Sequence, residues 1–244
     1  MIRIMNIRIG ITLLLAVFIL TTVNAQQPKV IVFSKTVKYR HKSIEAGIQS
    51  IKELGKKDHY EVLATEDAEV LISNLNNADA VIFLSTSGDI LNDVQQEIFR
   101  SYIENGGGFV GIHGAAATES DWPWYGNLLG ACFLDHPKLQ DATIQVVNHK
   151  HPSTSFLNKN WVKYDEWYNF KDINSDISVL LNVDETSYKG GKHGKDHPIA
   201  WFREYANRKM FYTALGHTEE SFTDKTFLKH LSGGILYVLG KNEK

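Results

Sequence analysis

Apolar and polar positions follow two different rhythms along the first half of the chain. Four short runs are mostly apolar, which is typical of strands buried on both faces of a sheet. Between them, two longer stretches carry apolar side chains every three or four positions, as on one face of a helix. The predicted strands are 29–34, 61–64, 80–84 and 108–112, and the predicted helices are 43–54 and 93–104. This alternation predicts a parallel sheet with helices on both faces.

The second half of the chain has shorter intervals between its apolar runs. Strands are predicted at 143–147, 179–183, 199–202 and 209–213, and a closing helix at 227–239. Parallel strands need long crossover connections, so strands separated only by turns favour antiparallel pairing. We therefore expect a mixed or antiparallel extension of the sheet. No stretch rich in Pro, Gly or Ser divides the chain, which predicts one domain over residues 26–244.

The first 25 residues have the pattern of a secretory signal. Arg3 and Arg8 give a basic start, 11–23 is an apolar run, and Ala25 is a small residue of the kind that signal peptidase favours. The apolar run is too short for a comfortable membrane span. We expect cleavage near Ala25, a periplasmic or secreted mature protein, and no stable membrane insertion. An uncleaved N-terminal anchor is the alternative.

Composition narrows the classes of partner. The 26 Lys and Arg residues balance 28 Asp and Glu residues, and no basic stripe is visible, so nucleic acid is not an expected partner. Cys132 is the single cysteine, so the exported chain would have no internal disulfide and packing alone must stabilise it.

The stretch GGGFVGIHGAAA at 106–117 places a histidine at the tip of a predicted buried strand. In open α/β sheets ligands bind outside the carboxyl ends of the strands, so His113 is directed toward that edge. Gly111 and Gly114 beside it are small, as a sharp strand-to-helix turn requires. The three glycines at 106–108 precede a strand instead of opening a helix, so they do not form a phosphate loop and no nucleotide cofactor is expected.

This stretch resembles the elbow of class I glutamine amidotransferases, in which a cysteine occupies the tip. ALGHTE at 214–219 resembles the same superfamily's histidine–x–glutamate segment, so His217 and Glu219 match its triad histidine and acid. Five further motifs are similar to those of the ThuA-like (trehalose utilisation) family. They are RHKSI at 40–44, DWPWY at 121–125, DEWY at 165–168, DHPIAW at 196–201 and LGHT at 215–218. The resemblance covers essentially the whole mature chain.

The resemblance implies a class I glutamine amidotransferase-like (flavodoxin-like) fold. This is a three-layer α/β sandwich whose mostly parallel sheet carries additional mixed or antiparallel strands. It also implies a role in disaccharide catabolism with 3-keto-sugar intermediates. In contrast to the amidotransferases, His113 stands at the tip and Cys132 lies far beyond it, so thioester-based glutamine hydrolysis is not expected.

Two further positions near the elbow depart from the family pattern. Gly114 and Ala117 stand where close relatives would carry an alanine and an acidic residue. If such an acid helps to orient the site, Glu119 or Asp121 is expected to replace it.

His113 and His217 are the leading candidates for the reacting groups, because each follows a predicted strand and the superfamily fold brings those two edges together. A pair of neutral imidazoles can bind a divalent metal such as zinc or act as acid and base, and both roles stay open. Hydrogen bonding to loop backbone is the purely structural alternative. Glu166 is the candidate carboxylate, which either moves a proton or, like Asp165, binds hydroxyls or completes a metal site.

A larger set of residues is assigned to sugar binding, because aromatic rings cover the CH faces of sugars and polar groups bind their hydroxyls. These candidates are Arg40, His41, Trp122, Trp124, Trp167, Tyr168 and His197. Arg40 and His41 follow the first strand, just before Ser43, which is predicted to cap a helix. His197 enters its strand instead of leaving it, so it reaches the site only if that strand runs antiparallel. Aromatic packing in a lid is the alternative for the rings.

The expected function is that of an exported enzyme of carbohydrate catabolism. It would abstract a proton next to a sugar carbonyl, in isomerisation or elimination of a 3-keto-glycoside, or carry out metal-assisted hydrolysis. No nicotinamide-binding fingerprint is visible, so a redox step would need a separate sugar oxidoreductase. The sequence does not decide whether the protein forms a homo-oligomer. The alternative is a non-catalytic carbohydrate-binding module on the same fold, which would have no need of paired histidines at the elbow.

Overall fold

The computed structural model describes residues 26–205 and 208–241, so the predicted signal segment lies outside the described residues. The strands are β1 (Lys29–Phe33), β2 (Glu61–Thr65), β3 (Ala80–Leu84), β4 (Gly108–Ile112), β5 (Cys132–Asp135), β6 (Gln140–Val146), β7 (Asn160–Asp165), β8 (Asn169–Lys171), β9 (Ser178–Val183), β10 (Pro198–Tyr205) and β11 (Arg208–Thr213). The α-helices are α1 (Ile44–Asp58), α2 (Ala68–Asn74), α3 (Asp93–Glu104), α4 (Pro123–Leu129) and α5 (Lys225–Val238). Short 3₁₀ helices lie at Leu75–Asn77, His113–Ala117, Glu185–Ser187 and Glu219–Thr223. None of the helices in these two ranges is long and apolar enough to cross a membrane.

The central sheet has the strand order β2-β1-β3-β4-β11-β10-β9-β6-β7, and β5 pairs with β8 in a separate small sheet. The first five strands of this order are parallel to one another. From β11 onward each neighbour is antiparallel. The predicted α/β sheet with an antiparallel extension is therefore confirmed.

Helices cover the sheet on both faces, as two glycines of β4 illustrate. A Cβ on Gly108 would overlap Val238 of α5. A Cβ on Gly111, which points to the opposite face, would lie 2.7 Å from Leu129 of α4. Larger residues would push both helices away from the strand, so the glycines permit the three-layer sandwich that the resemblance implies.

The strand directions bring distant parts of the chain to one edge of the sheet. Successive antiparallel pairings after β11 leave β7 running in the same sense as β4. The carboxyl ends of β4 and β7, at Ile112 and Asp165, and the amino end of β10, at Pro198, therefore lie at the same edge. The candidate site is built there.

Candidate functional site

The turn after β4 holds His113 in an unusual backbone conformation. Its φ is +49°, in the left-handed region, and it opens the 3₁₀ helix His113–Ala117. Such a conformation costs about 1–3 kcal/mol and persists only where the surroundings impose it. A Cβ on Gly114 would lie 2.9 Å from the carbonyl oxygen of Thr86 and 3.0 Å from the backbone of Ser85, which explains the glycine at this position. The sharp elbow is present, and its tip is fully buried.

Hydrogen bonding determines which nitrogen of His113 faces the site. Its Nδ1 lies 2.6 Å from the carbonyl oxygen of Ala214. A carbonyl oxygen can only accept, so Nδ1 carries the proton of this bond. Nε2 lies 3.0 Å from the hydroxyl of Tyr168 and 3.2 Å from Nδ1 of His217. In the neutral imidazole this arrangement directs the Nε2 lone pair into the cluster.

Asp165 anchors the loop that carries His217. Its buried carboxylate accepts hydrogen bonds from the backbone N–H groups of Glu166, Gly216 and His217 at 2.9, 3.1 and 3.1 Å. Because these bonds engage both of its oxygens, Asp165 joins the end of β7 to the loop after β11. Of the two carboxylates that the sequence left open, Glu166 is the one that faces the histidines.

Glu166 lies between three imidazoles. Its Oε2 is 3.0 Å from Nδ1 of His217 and 3.4 Å from Nε2 of His113, and its Oε1 is 3.0 Å from Nδ1 of His136. Burial alone would raise the pKa of Glu166, but the adjacent imidazoles of His113 and His217 outweigh burial and hold this pKa well below its usual range. The cluster is therefore built around an ionised carboxylate.

His41 joins the cluster from the loop after β1. Its ring lies edge to face with those of His113 and His217, at centroid distances of 4.6 and 5.1 Å. Burial, reinforced by these neighbouring histidines, lowers the pKa of His41 to about 2, so the ring is neutral at pH 7. Its Nδ1 is buried and has no hydrogen-bond partner among the described residues. An unsatisfied buried polar atom costs about 1–3 kcal/mol, so a ligand that satisfies it would be favoured.

The donor set fits a divalent metal ion. One ligand atom from each of His41, His113, Glu166 and His217 lies within 4.8 Å of the others. Ligands about 2.0–2.1 Å from a tetrahedral zinc ion lie roughly 3.3 Å from one another. The three separations among the ligand atoms of His113, His217 and Glu166 are 3.2, 3.4 and 3.0 Å. These atoms form a triangle of the size that zinc needs, and two histidines with one glutamate are the ligands of known catalytic zinc sites.

A cleft of about 770 Å³ opens onto the cluster, and His41, Glu166, Tyr168 and His217 line it. The rest of its wall combines apolar and aromatic residues with polar and charged ones such as Lys38, Lys171 and Asp172. The wall also includes Tyr39, Ala116, Trp122, Pro123, Phe133, Leu139, Asn127 and Asn174. A cleft of this size and composition suits a small organic ligand.

The structure separates the predicted aromatic platforms. Trp122 lines the cleft. Trp124 stacks on Trp122 with ring centroids 4.7 Å apart, but it does not line the cleft. The guanidinium of Arg100 lies over the Trp124 ring, 5.4 Å from its centroid. Trp167 is 1% exposed and donates its indole N–H to the carbonyl oxygen of Gln140 at 2.8 Å, so neither of its faces is free for a sugar. The platform prediction is corrected for Trp124 and Trp167, whose rings are used in packing.

Arg40 does not line the cleft, contrary to its predicted role in substrate binding. Its guanidinium pairs with Glu45 at 2.6 Å and with Glu66 at 2.8 Å, and these two carboxylates hold it at the surface. Ser43 also departs from its predicted capping role. Its hydroxyl donates to the carbonyl oxygen of Gly216 at 3.0 Å and makes no cap hydrogen bond. That bond ties two loops of the site together.

The antiparallel direction of β10 brings His197 to the site edge of the sheet, yet it does not line the cleft. It is fully buried, and its Nε2 donates to the carbonyl oxygen of Tyr168 at 2.8 Å. Its Nδ1 lies 2.7 Å from Oε1 of Glu185. His197 therefore holds the backbone of Tyr168, whose hydroxyl contacts His113, and the prediction of direct substrate binding is corrected.

The other predicted acids and the cysteine stay outside the cluster. Glu219 is exposed at the start of a 3₁₀ helix, and Glu166 is the carboxylate that contacts the neighbouring histidine. Glu119 is buried, and its Oε1 accepts two backbone N–H bonds of 2.8 Å from the loop before α3, whereas Asp121 is exposed. Cys132 lines the cleft with a thiol whose pKa is raised by burial, which disfavours the reactive thiolate.

His136 is the residue of the site that sequence reasoning missed. It lies in the loop between β5 and β6, lines the cleft and contacts Glu166. β5 has only four residues and no clear apolar pattern, so neither strand nor loop could be predicted there. The residue type was the only available signal.

Comparison with known proteins agrees with the resemblance seen in the sequence. The sequence model of the ThuA family, described as trehalose utilisation, matches residues 29–238. A search of curated protein sequences finds no match.

Solved structures share the fold over nearly the whole chain. A ThuA-like protein from Bacteroides uniformis is 27% identical with a TM-score of 0.75, over 90% of this chain and 95% of that one. A ThuA-like protein from Parabacteroides merdae, at 16% identity and a TM-score of 0.73 over 89% and 92% of the two chains, shows the fold alone. A β-galactosidase from Bacillus circulans, at 14% identity and a TM-score of 0.59, also shows the fold alone. The match covers 89% of this chain but 32% of the galactosidase. With the family match extending over most of its length, this chain belongs to the ThuA (trehalose utilisation) family.

Proposed function

We propose that this chain is an exported enzyme of disaccharide or 3-keto-glycoside catabolism that moves a proton next to a sugar carbonyl. The observation that carries the proposal is the convergence of three imidazoles and one carboxylate at a cleft. Membership in the trehalose utilisation family supports a carbohydrate substrate. A non-catalytic carbohydrate-binding module would have no use for such a cluster, so the enzyme is the better account.

A divalent metal ion fits the cluster, and the residues that would hold it are His113, His217 and Glu166. His41 supplies a fourth, neutral donor beside them. When bound, the ion would polarise a sugar carbonyl as a Lewis acid or, in the hydrolytic variant, a water molecule. The hydrogen bond to the carbonyl oxygen of Ala214 keeps the ring of His113 in the orientation that such binding needs.

We assign the proton transfer to Glu166. A carboxylate that binds an ion through one oxygen keeps a second oxygen, and Oε1 lies beside the cleft-lining residue His136. Glu166 would take the proton from the carbon next to the carbonyl. The C–H electron pair then forms a C–C double bond, and the carbonyl oxygen gains negative charge. In an isomerisation, the hydroxyl on the deprotonated carbon passes its proton to the oxyanion, and return of a proton to the former carbonyl carbon leaves a new carbonyl on its neighbour. In an elimination, the electron pair re-forms the original carbonyl while the group on the next carbon departs with a proton.

Tyr168 is placed to donate a hydrogen bond to a sugar oxygen. Burial, together with the nearby charge of Glu166, raises its pKa well above the usual range, so the phenol stays protonated. Its hydroxyl lies 3.0 Å from Nε2 of His113. A ligand that engages this Nε2 would free the hydroxyl to donate to a sugar in the cleft that Tyr168 also lines.

Export and a partner enzyme complete the proposal. The basic and apolar pattern of residues 1–25 supports secretion, with the mature chain in the periplasm or outside the cell. A carbonyl-bearing sugar must be supplied by oxidation, and a separate sugar oxidoreductase would perform that step. Glutaminase activity is not expected, because His113 stands at the elbow and the thiol of Cys132 has a raised pKa.

Proton exchange in D₂O tests the proposal. The mature protein, supplied with Zn²⁺ or Mn²⁺, should incorporate deuterium next to the carbonyl of 3-keto-trehalose or a 3-keto-glucoside, as followed by NMR. A chelator should stop the exchange, and the metal should restore it. Binding of these sugars by the metal-loaded protein without exchange, isomerisation, elimination or hydrolysis would favour the binding module.

A further inference from the structure

We propose that His136 is a positioning residue for Glu166. It fixes which oxygen of this carboxylate faces the metal-binding cluster and which faces the cleft. This inference rests on the proposed function, because it takes the cluster of His113, His217 and Glu166 as a site for a divalent ion.

The contacts of His136 converge on one of its two ring nitrogens. Nδ1 lies 3.0 Å from Oε1 of Glu166 and 2.9 Å from the carbonyl oxygen of Pro137. A carbonyl oxygen can only accept a hydrogen bond, so Nδ1 carries a proton, and the carboxylate oxygen Oε1 lies within reach to share it. Oε1 is thereby engaged, and Oε2 is left for the cluster.

Two residues of β5, just before His136, are anchored or pack against its ring. Asp135 accepts a hydrogen bond from the side-chain amide of Asn169 at 2.8 Å and pairs with Lys192. The ring of Phe133 packs 5.9 Å from the His136 ring, centroid to centroid. The imidazole is therefore held against Glu166, although 41% of its side chain is exposed to the cleft and solvent.

Hydrogen bonds to metal ligands tune how well those ligands bind. A group that orients a ligating carboxylate or histidine is worth about 10- to 100-fold in metal affinity. The bond from His136 is the one side-chain contact to Oε1 of Glu166 that the described residues show. Its removal would let the carboxylate rotate and would weaken metal binding without removing any ligand.

The experiment compares wild type with His136→Ala, His136→Asn and the control His149→Ala, whose parent histidine is exposed and does not line the cleft. Zn²⁺ affinity is measured by competition with a chromogenic chelator, and the visible spectrum of the Co²⁺-loaded protein reports the ligand geometry. We expect His136→Ala to weaken Zn²⁺ binding by about 10- to 100-fold and to change the Co²⁺ spectrum. The amide N–H of asparagine replaces the Nδ1 proton, so His136→Asn should recover most of the affinity, and His149→Ala should equal wild type.

Each outcome decides the matter. Wild-type Zn²⁺ affinity and an unchanged Co²⁺ spectrum in His136→Ala would overturn the role of His136 while leaving the proposed function standing. Failure of the wild type to bind Zn²⁺ or Co²⁺ would overturn the metal centre and this inference with it. If His136→Ala is also less stable, His136→Asn decides: recovery of affinity supports positioning, and no recovery in a stable protein contradicts it.

Discussion

At the scale of single residues, His217 separates chemistry from stability better than its partners in the cluster. Its side chain is 16% exposed, and its loop is anchored through its backbone N–H to Asp165. His113 is fully buried, has a left-handed backbone and binds the carbonyl oxygen of Ala214, so its replacement would disturb the elbow as well as the site. A change at His217 therefore reports on the site with the least structural damage.

We expect His217→Ala to reduce proton exchange on a 3-keto-glucoside by about 100-fold or more, the scale of losing an acid–base or ligand group. Its melting temperature should stay within about 2 °C of wild type, because little packing is lost. Exchange rates by NMR and thermal unfolding measure the two effects, with His149→Ala as the control. Exchange within a few-fold of wild type in the folded variant would show that His217 is not part of the machinery.

The sequence predicted which side chains lie together at the site better than the contacts of each neighbour. His113 and His217 could be placed together because each follows a predicted strand and the resemblance implies that those edges meet, whereas Glu166 was a candidate through the acidic–aromatic motif DEWY. Asp165 and Glu166 are adjacent at the end of β7, so their side chains point in different directions. Only the structure shows which of the two carboxylates contacts the histidines. His136 follows a strand too short to show a pattern, so its contact with Glu166 is visible only in three dimensions.

At the scale of elements, the segment between β9 and β10 forms a support for the site. Glu185 accepts a hydrogen bond from the backbone N–H of His193 at 2.6 Å and lies 2.7 Å from Nδ1 of His197. His193 accepts from the backbone N–H of Phe170, and His197 donates to the carbonyl oxygen of Tyr168. One carboxylate thus steadies both histidines that hold the backbone around β8.

The pH dependence of stability should reveal this support. Burial alone would raise the pKa of Glu185, but the bonds from His193 and His197 outweigh it and lower the pKa below its usual value. A carboxylate whose pKa is lower in the folded than in the unfolded state stabilises the fold at pH values above its unfolded-state pKa of about 4.3. This contribution to the free energy of unfolding is lost as the pH falls through the folded-state pKa. We expect Glu185→Gln to lower the melting temperature by a few degrees at pH 7 and by less near pH 3–4.

Thermal unfolding across this pH range measures the effect, and Glu61→Gln, at an exposed position of β2, is the control. If Glu185→Gln lowered the melting temperature equally at pH 7 and at pH 3–4, the role assigned to the ionised carboxylate of Glu185 would be contradicted.

Elements were predictable where burial follows a simple pattern. β3 and β4 are uncharged and buried throughout, and both were predicted with the observed bounds. β7 was missed because its pattern is inverted: Val162 and Tyr164 are exposed, whereas Lys163 is buried, 3.6 Å from a carboxylate oxygen of Asp224. α2 and α4 have seven residues each, too few to show a helical period.

At the scale of the whole molecule, the sheet topology assembles the cluster from four distant segments. His41 and His113 follow the parallel strands β1 and β4, and His217 follows β11. Glu166 follows β7, which lies at the far end of the antiparallel extension. Local patterns do not specify that β7 returns to the same edge. The resemblance implied only that His113 and His217 meet, and the strand directions of the structure bring Glu166 to them.

Export is a property of the whole chain that intact mass can test. The basic start and apolar run within residues 1–25 predict that protein isolated from the cell envelope begins at Gln26. Mass spectrometry should show the loss of those residues. A full-length protein in the cytoplasm would contradict both cleavage and export.

The metal content of the mature protein tests the central claim most directly. Protein purified without chelators and analysed by inductively coupled plasma mass spectrometry should contain about one divalent transition-metal ion per chain. His217→Ala and Glu166→Gln should have lost most of it, because each removes one corner of the triangle of ligand atoms. A folded wild-type protein that contains no such metal, and that binds none when Zn²⁺ is added, would contradict the account.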